Sequence, residues 1–263
     1  MNRIDQTFQQ LKQEQKKAFI AFITAGDPNL DTTYDLVLAF EKAGVDMMEL
    51  GVPFSDPMAD GPTIQAASLR ALQNGTTLTK VLDLVKRLRQ KTQIPLLFML
   101  YYNVILHYGE EKFVKDAKDA GLDGIVVPDL PPQEAKILRA AATKANLATV
   151  FFIAPTTSDE RIKPIADASS GFIYYVSLTG VTGVKEAVVS SISADLKRVK
   201  KLTDKPVCVG FGVSTPEQVK AISRVADGVI VGSAIVKEIQ KHIQDKDVVE
   251  KTAAFVRTLV SVK

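Results

Sequence analysis

The chain has 263 residues, 46% hydrophobic and 24% charged, with 33 Lys and Arg against 30 Asp and Glu for a formal net charge of +3. That balance excludes a disordered or fibrous chain and is too even for a duplex-binding surface; the short basic pairs Lys16-Lys17 and Lys200-Lys201 read as solvated helix faces. The one cysteine, Cys208, permits no disulfide within the chain, and its place in the apolar run PVCVGF makes it a small core residue in a reducing compartment.

At the N-terminus, MNRIDQTFQQLKQEQKK carries acids and glutamines where a signal peptide needs an apolar run. Its RIDQTFQQLKQ segment predicts a helix standing outside the repeat that follows. Eight short apolar runs then occur in order: AFIAFIT (18–24), VDMMEL (45–50), PLLFMLY (95–101), GIVV (124–127), ATVFFI (148–153), FIYYV (172–176), PVCVGF (206–211) and GVIV (228–231). Between them lie amphipathic stretches such as TTYDLVLAFEKAG, KVLDLVKRLRQK, EEKFVKDAKDAG, QEAKILRAAATKA and TPEQVKAISRVA, apolar at three- and four-residue intervals. The greasiest stretch, PLLFMLYYNVIL, is short and broken by Asn103, so it predicts a buried strand and not a membrane span.

Strands this uniformly apolar are typical of parallel strands covered on both faces. Eight βα units without a linker predict a single (β/α)8 TIM barrel domain over residues 1–263, with the extra N-terminal helix capping its floor. An open doubly wound sheet is the alternative. KAGVDMMELGVP, DAGLDGIVVPDLP and RVADGVIVGS form a weak internal echo, each placing a helix end and an Asp just before a strand.

In such a barrel, chemistry gathers at the C-terminal ends of the strands. No lysine lies in any of the eight runs, which argues against a Schiff-base aldolase. Two histidines in distant segments, His107 and His242, make a His-based metal site poorly supported, and no metal is expected. Asp27 and Asp129 both precede proline and read as turn starters. Glu49 is harder to dismiss, because it sits in the apolar run MMELG, and burying an unpaired carboxylate costs roughly several kcal/mol. Asp60 follows eleven residues later, in a loop rich in Gly, Pro and Asp. Glycine-bearing segments TGVTG (179–183), GFGVST (210–215) and GSA (232–234) follow the last three runs, a recurrent phosphate-site arrangement in barrels.

Together FITAGDP, ELGVPFSDPMADGPTIQ, VVPDLP, GVTG, GFGVSTPEQV and GVIVGSAIVK resemble the tryptophan synthase α subunit family, in order and over nearly the whole chain. The resemblance implies a lyase of tryptophan biosynthesis that cleaves indole-3-glycerol phosphate by a retro-aldol reaction to indole and glyceraldehyde 3-phosphate. It implies no cofactor in this chain. The partner it implies is a β subunit that carries pyridoxal phosphate, assembled as an α2β2 complex in the cytoplasm or a plastid stroma.

By motif position, Glu49 resembles the family's acid-base and Asp60 the group that holds the indole N–H. Apolar surroundings should raise the Glu49 pKa toward neutrality, while Asp60, in a wetter loop, stays ionised. Tyr174, three residues before Ser177, matches the family's active-site tyrosine better than Tyr175. Gly183, Phe211, Gly212, Gly232 and Ser233 fall on substrate and phosphate positions, and Thr182 on a residue that hydrogen-bonds Asp60 when the loop closes. Leu178 stands where several members carry an arginine. The rim residues Ser55, Asp56, Pro57 and Met58 fall at the partner interface. Two alternatives are a free-standing lyase that releases indole, which shares every catalytic residue, and a non-catalytic activator of a β chain, against which the intact Glu49 and Asp60 pair argues.

Overall fold

Among the described residues, nine strands form one sheet and all run parallel: β1 (Ala18–Thr24), β2 (Met47–Gly51), β3 (Leu96–Met99), β4 (Gly124–Val126), β5 (Ala148–Val150), β6 (Phe152–Ile153), β7 (Ile173–Val176), β8 (Val207–Gly210) and β9 (Gly228–Val231). The helices are α1 (Arg3–Gln13), α2 (Leu30–Lys42), α3 (Pro62–Gln73), α4 (Leu78–Arg89), α5 (Tyr102–Tyr108), α6 (Glu110–Ala120), α7 (Lys136–Lys144), α8 (Asp159–Ala168), α9 (Glu186–Lys200), α10 (Pro216–Ser223), α11 (Ser233–Lys241) and α12 (Val248–Val260). This computed structural model describes residues 1–177, 186–210 and 212–263, the side chains of 186–188 excepted. Thr182, Gly183, Phe211 and Leu178 therefore lie outside the described residues. No described helix is long and apolar enough to cross a membrane.

The strand order is β5-β4-β3-β2-β1-β9-β8-β7-β6. Its two ends are β5 and β6, which Phe151 alone separates, so the sheet closes into a barrel. The single run expected over 148–153 is thus two short strands. Neighbouring strands in a barrel are staggered, and here the first half of the run pairs with β4 while the second half pairs with β7.

Alternation sorts each strand into two faces. Ile20, Met47, Leu97, Val126, Val150, Tyr174, Cys208 and Ile230 form the barrel interior, whereas Phe19, Met48, Phe98, Ile125, Tyr175 and Val209 pack in the layer under the helices. Both layers are apolar, which explains why the strands read as continuous hydrophobic runs. Helix α1 closes the floor: Ile4, Phe8 and Leu11 join the interior cluster. Its start is fixed by a capping box, in which Asn2 accepts from the Asp5 N–H at 3.2 Å and Asp5 accepts from the Asn2 N–H at 3.4 Å.

The sequence echo has a structural cause. Asp46, Asp123 and Asp227 each precede a strand, and each carboxylate accepts the N–H at the start of the strand before it in the repeat: Phe19 at 2.7 Å, Leu96 at 2.9 Å and Val207 at 2.8 Å. Every one is also paired with a cation, Asp46 with Lys263, Asp123 with Arg89 and Arg3, and Asp227 with Lys200. These acids fix the strand register at the barrel floor, opposite the end where chemistry is expected.

Candidate active site

Glu49 lies on the inward face of β2, two residues after Met47, and is flanked across the ladder by Phe22 and Leu97. It is 1% exposed, and neither carboxyl oxygen has a hydrogen-bond partner among the described residues. Burial raises its pKa to about 8, and the nearby Asp60 carboxylate adds to the rise. The group is therefore mostly protonated at neutral pH and can give up a proton only slightly above it.

Two glycines make room around it. A Cβ on Gly51 would come within 2.6 Å of the Phe22 ring, and one on Gly210 within 2.5 Å of Tyr174. Both aromatic rings occupy space that a larger residue on the neighbouring strand would fill.

Asp60 ends the loop that leaves β2, just before Gly61 caps α3. It is not in the wet surroundings expected. Partial burial pushes its carboxyl above the ordinary Asp range, against a hydrogen bond from the Tyr101 hydroxyl that lowers it. Thr24 Oγ1, buried and without a partner among the described residues, shares a space of about 10 Å³ with Asp60 and Tyr101.

A cavity of about 640 Å³ opens above these groups, a size that suits a small-molecule ligand. Its lining includes the apolar residues Phe22, Ile64, Met99, Tyr174 and Ile230 together with Asp60. It also includes Gly212, Ser214, Gly232, Ser233 and Lys237. Gly212 has φ +80°, and Gly232 is the N-cap of α11, whose first residue is Ser233. First-turn N–H groups of a helix lack partners within it, so this end is suited to an anion. The site thus combines apolar lining, a carboxylate and an anion cradle in one cavity.

Of the residues expected from sequence, Asp60, Tyr174, Gly212, Gly232 and Ser233 stand together on the cavity wall. Glu49 is buried below them and is not part of that wall. Tyr174 points inward, whereas Tyr175 points outward and donates to Asp195 at 2.5 Å. Ser55, Asp56 and Met58 are exposed on the rim, Met58 at 92%, with Pro57 partly covered.

Asp27 does more than start a turn: it is buried and accepts two bonds from Arg70, at 2.8 and 2.7 Å. Asp129 is exposed and accepts the Tyr102 N–H at 2.9 Å, at the start of α5. Sequence reasoning passed over Tyr101, which looks like one more aromatic in an apolar run. It also missed Lys237, whose four-residue spacing from Ser233 was the available signal. Among the described residues no three His, Cys, Asp or Glu side chains converge as a metal site would require.

The model of the family described as tryptophan synthase alpha chain matches residues 8–262. The tryptophan synthase alpha chain of Geotalea daltonii is 51% identical over 259 residues, 98% of each chain, and that of Thermoanaerobacter sp. strain X514 is 48% identical over 262 residues, the whole of both. Among solved structures, tryptophan synthase subunit alpha from Legionella pneumophila superposes with a TM-score of 0.93 at 38% identity, covering 100% of this chain and 98% of that one. A chain of the tryptophan synthase complex from Pyrococcus furiosus superposes at 0.84 with 39% identity, covering 93% of this chain and 98% of that one. With the same barrel, matched from end to end at about half identity, this chain belongs to the tryptophan synthase alpha chain family.

Proposed function

We propose that this chain cleaves indole-3-glycerol phosphate with Glu49 as the acid-base and Asp60 as the anion that steadies the indole nitrogen. The single observation that carries the reading is the buried, unpaired Glu49, held largely protonated beside a second carboxylate.

The indole packs against the apolar lining residues Tyr174 and Phe22, its N–H donating to Asp60, while the phosphate is held at Gly212, Gly232 and Ser233, which line the same cavity. Neutral Glu49 gives its proton to the ring carbon that bears the glycerol chain, and the ring nitrogen becomes cationic. The Asp60 carboxylate stabilises that charge in a site of low dielectric. Glu49, now ionised, takes the proton of the adjacent side-chain hydroxyl as the carbon–carbon bond breaks. The bonding electrons return to the ring, giving indole and glyceraldehyde 3-phosphate with Glu49 reprotonated. One residue serves both steps because its pKa lies near the working pH. Incubating the purified chain with indole-3-glycerol phosphate and measuring free indole tests the reading; a folded chain that releases none, alone or with a β subunit, would overturn it.

The anion end has its own test. Inorganic phosphate should compete with substrate, and Gly212→Asp should weaken both by at least about 10-fold by adding charge where the anion lies. Gly212→Ala carries the same backbone strain at φ +80° without the charge, and should weaken them less. Equal losses in the two variants would remove the phosphate from this end.

The chain acts as the α subunit of an α2β2 complex in the cytoplasm, and its β partner supplies the pyridoxal phosphate that this chain does not use. Released indole is small, neutral and apolar, so a partner docked over the barrel mouth would capture it. The rim at Ser55, Asp56, Pro57 and Met58 offers an exposed methionine and a carboxylate beside the cavity. Pro53 just before it and Pro57 within it lower the ordering cost of a contact. Adding a β subunit should raise indole formation, and Asp56→Ala should reduce that rise more than it changes the activity of the isolated chain. A chain already fast alone and indifferent to any β subunit would be the free-standing lyase instead.

A further inference from the structure

We infer that Tyr101 is a positioning residue, holding the Asp60 carboxylate in its working orientation and tying it to the partner-facing loop. The inference rests on the proposed roles of Glu49 and Asp60 and concerns how the second is kept in place.

Tyr101 follows β3 and N-caps α5, with 6% of its surface exposed. Its hydroxyl accepts the Ala59 N–H at 2.9 Å, and Tyr101 and Asp60 line one space of about 10 Å³, where the hydroxyl lowers the pKa of the Asp60 carboxyl. A phenol has one proton; a lone pair serves the loop backbone, which leaves the proton free to turn toward Asp60. The ring packs against Phe54 at 5.3 Å between centroids, tilted by 31°. One side chain therefore grips both ends of the loop 53–60.

That loop has little else to hold it. Its internal bonds are Met58 N–H to the Asp56 carbonyl at 2.9 Å, Asp60 N–H to the Pro57 carbonyl at 3.1 Å, and Ser55 Oγ to Asp56 at 2.5 Å. Among the described residues, the one other bond from the loop's Asp60 to the barrel is Gln65 Nε2 donating to the Asp60 carbonyl at 2.8 Å, which fixes backbone and not carboxylate. Ser55 to Met58 lie between the two points that Tyr101 holds, so a partner that moves the rim moves Asp60 through this residue. A carboxylate misplaced by an ångström loses most of its stabilisation of a developing charge.

Other groups face Asp60: Glu49 from β2, Tyr174 from β7 and Lys237 from α11 across the cavity, with Asp129 acting on Tyr101 itself. All of them remain in Tyr101→Phe, which keeps the ring and its packing and removes only the hydroxyl. That hydroxyl lowers the Asp60 pKa, so its removal shifts the acid limb of the kcat profile to higher pH.

The test is steady-state kinetics of Tyr101→Phe, Asp60→Asn and the double variant on indole-3-glycerol phosphate, across pH, with and without a β subunit. The expected result is a fall in kcat of about 10-fold with KM changed by less than about 3-fold, the acid limb moved up, and part of the β-subunit stimulation lost. In the Asp60→Asn background, Tyr101→Phe should add almost nothing. Wild-type kcat and pH profile, losses that add in the double variant, or a Tyr101→Phe chain that does not fold would each overturn the inference. Full activity in Asp60→Asn would instead overturn the role proposed for Asp60.

Discussion

Glu49→Gln is expected to fold as the parent does and to lower indole formation by at least about 10²-fold, the usual scale for a positioned acid-base group. Gln matches the size of the side chain but can neither give nor take the proton. Glu49 sits on an inward strand position with Phe22 and Leu97 beside it, and the nearest other acid, Asp60, is on the loop above. Among the described residues no neighbour is placed to take over a proton transfer at the ring carbon. The loss should fall on kcat, because Glu49 acts on the reacting atoms and does not form part of the cavity wall. Near-normal turnover by the folded variant would move the acid role elsewhere.

The same substitution should stabilise the fold at neutral pH, and the gain should depend on pH. In the unfolded chain a glutamate titrates near 4.5; in the folded chain Glu49 titrates near 8. Between these values the folded state holds a proton that the unfolded state has lost, so wild-type stability falls by about 1.4 kcal/mol per pH unit. The group's contribution is fully present below pH 4.5 and is lost as pH rises through 8. Relative to Glu49→Gln, the parent should therefore lose roughly 3 kcal/mol between pH 4.5 and 7 and little more above about pH 8. Urea unfolding of both proteins across that range measures the difference. A gap that does not change with pH would mean that Glu49 is not carried into the fold as a neutral acid.

Much of this was legible in the sequence for local reasons. The bounds of β1 and β9 coincide with the runs AFIAFIT and GVIV, and RIDQTFQQLKQ is α1 itself, because strand and helix periodicities are properties of adjacent residues. Glu49 stood out as an anomaly against an apolar pattern. What escaped depends on residues far apart in the chain. The split of 148–153 into β5 and β6 follows from pairing with two different neighbours. The burial of Asp60 and the grip of Tyr101 on its loop arise from a contact across about forty residues, and the Asp27–Arg70 pair spans a similar gap. The echo of Asp46, Asp123 and Asp227 was visible as a pattern, but only the strand geometry shows that each carboxylate receives an N–H from the start of a strand.

The most direct test of Glu49 as a buried neutral acid is a titration of its side-chain carboxyl carbon by 13C NMR in the folded protein, with the resonance assigned by its absence in Glu49→Gln. The expected midpoint is about pH 8, well above the ordinary glutamate value of 4.5. A midpoint near 4.5 would contradict the account, because Glu49 would then be ionised at neutral pH and have no proton to give the indole ring.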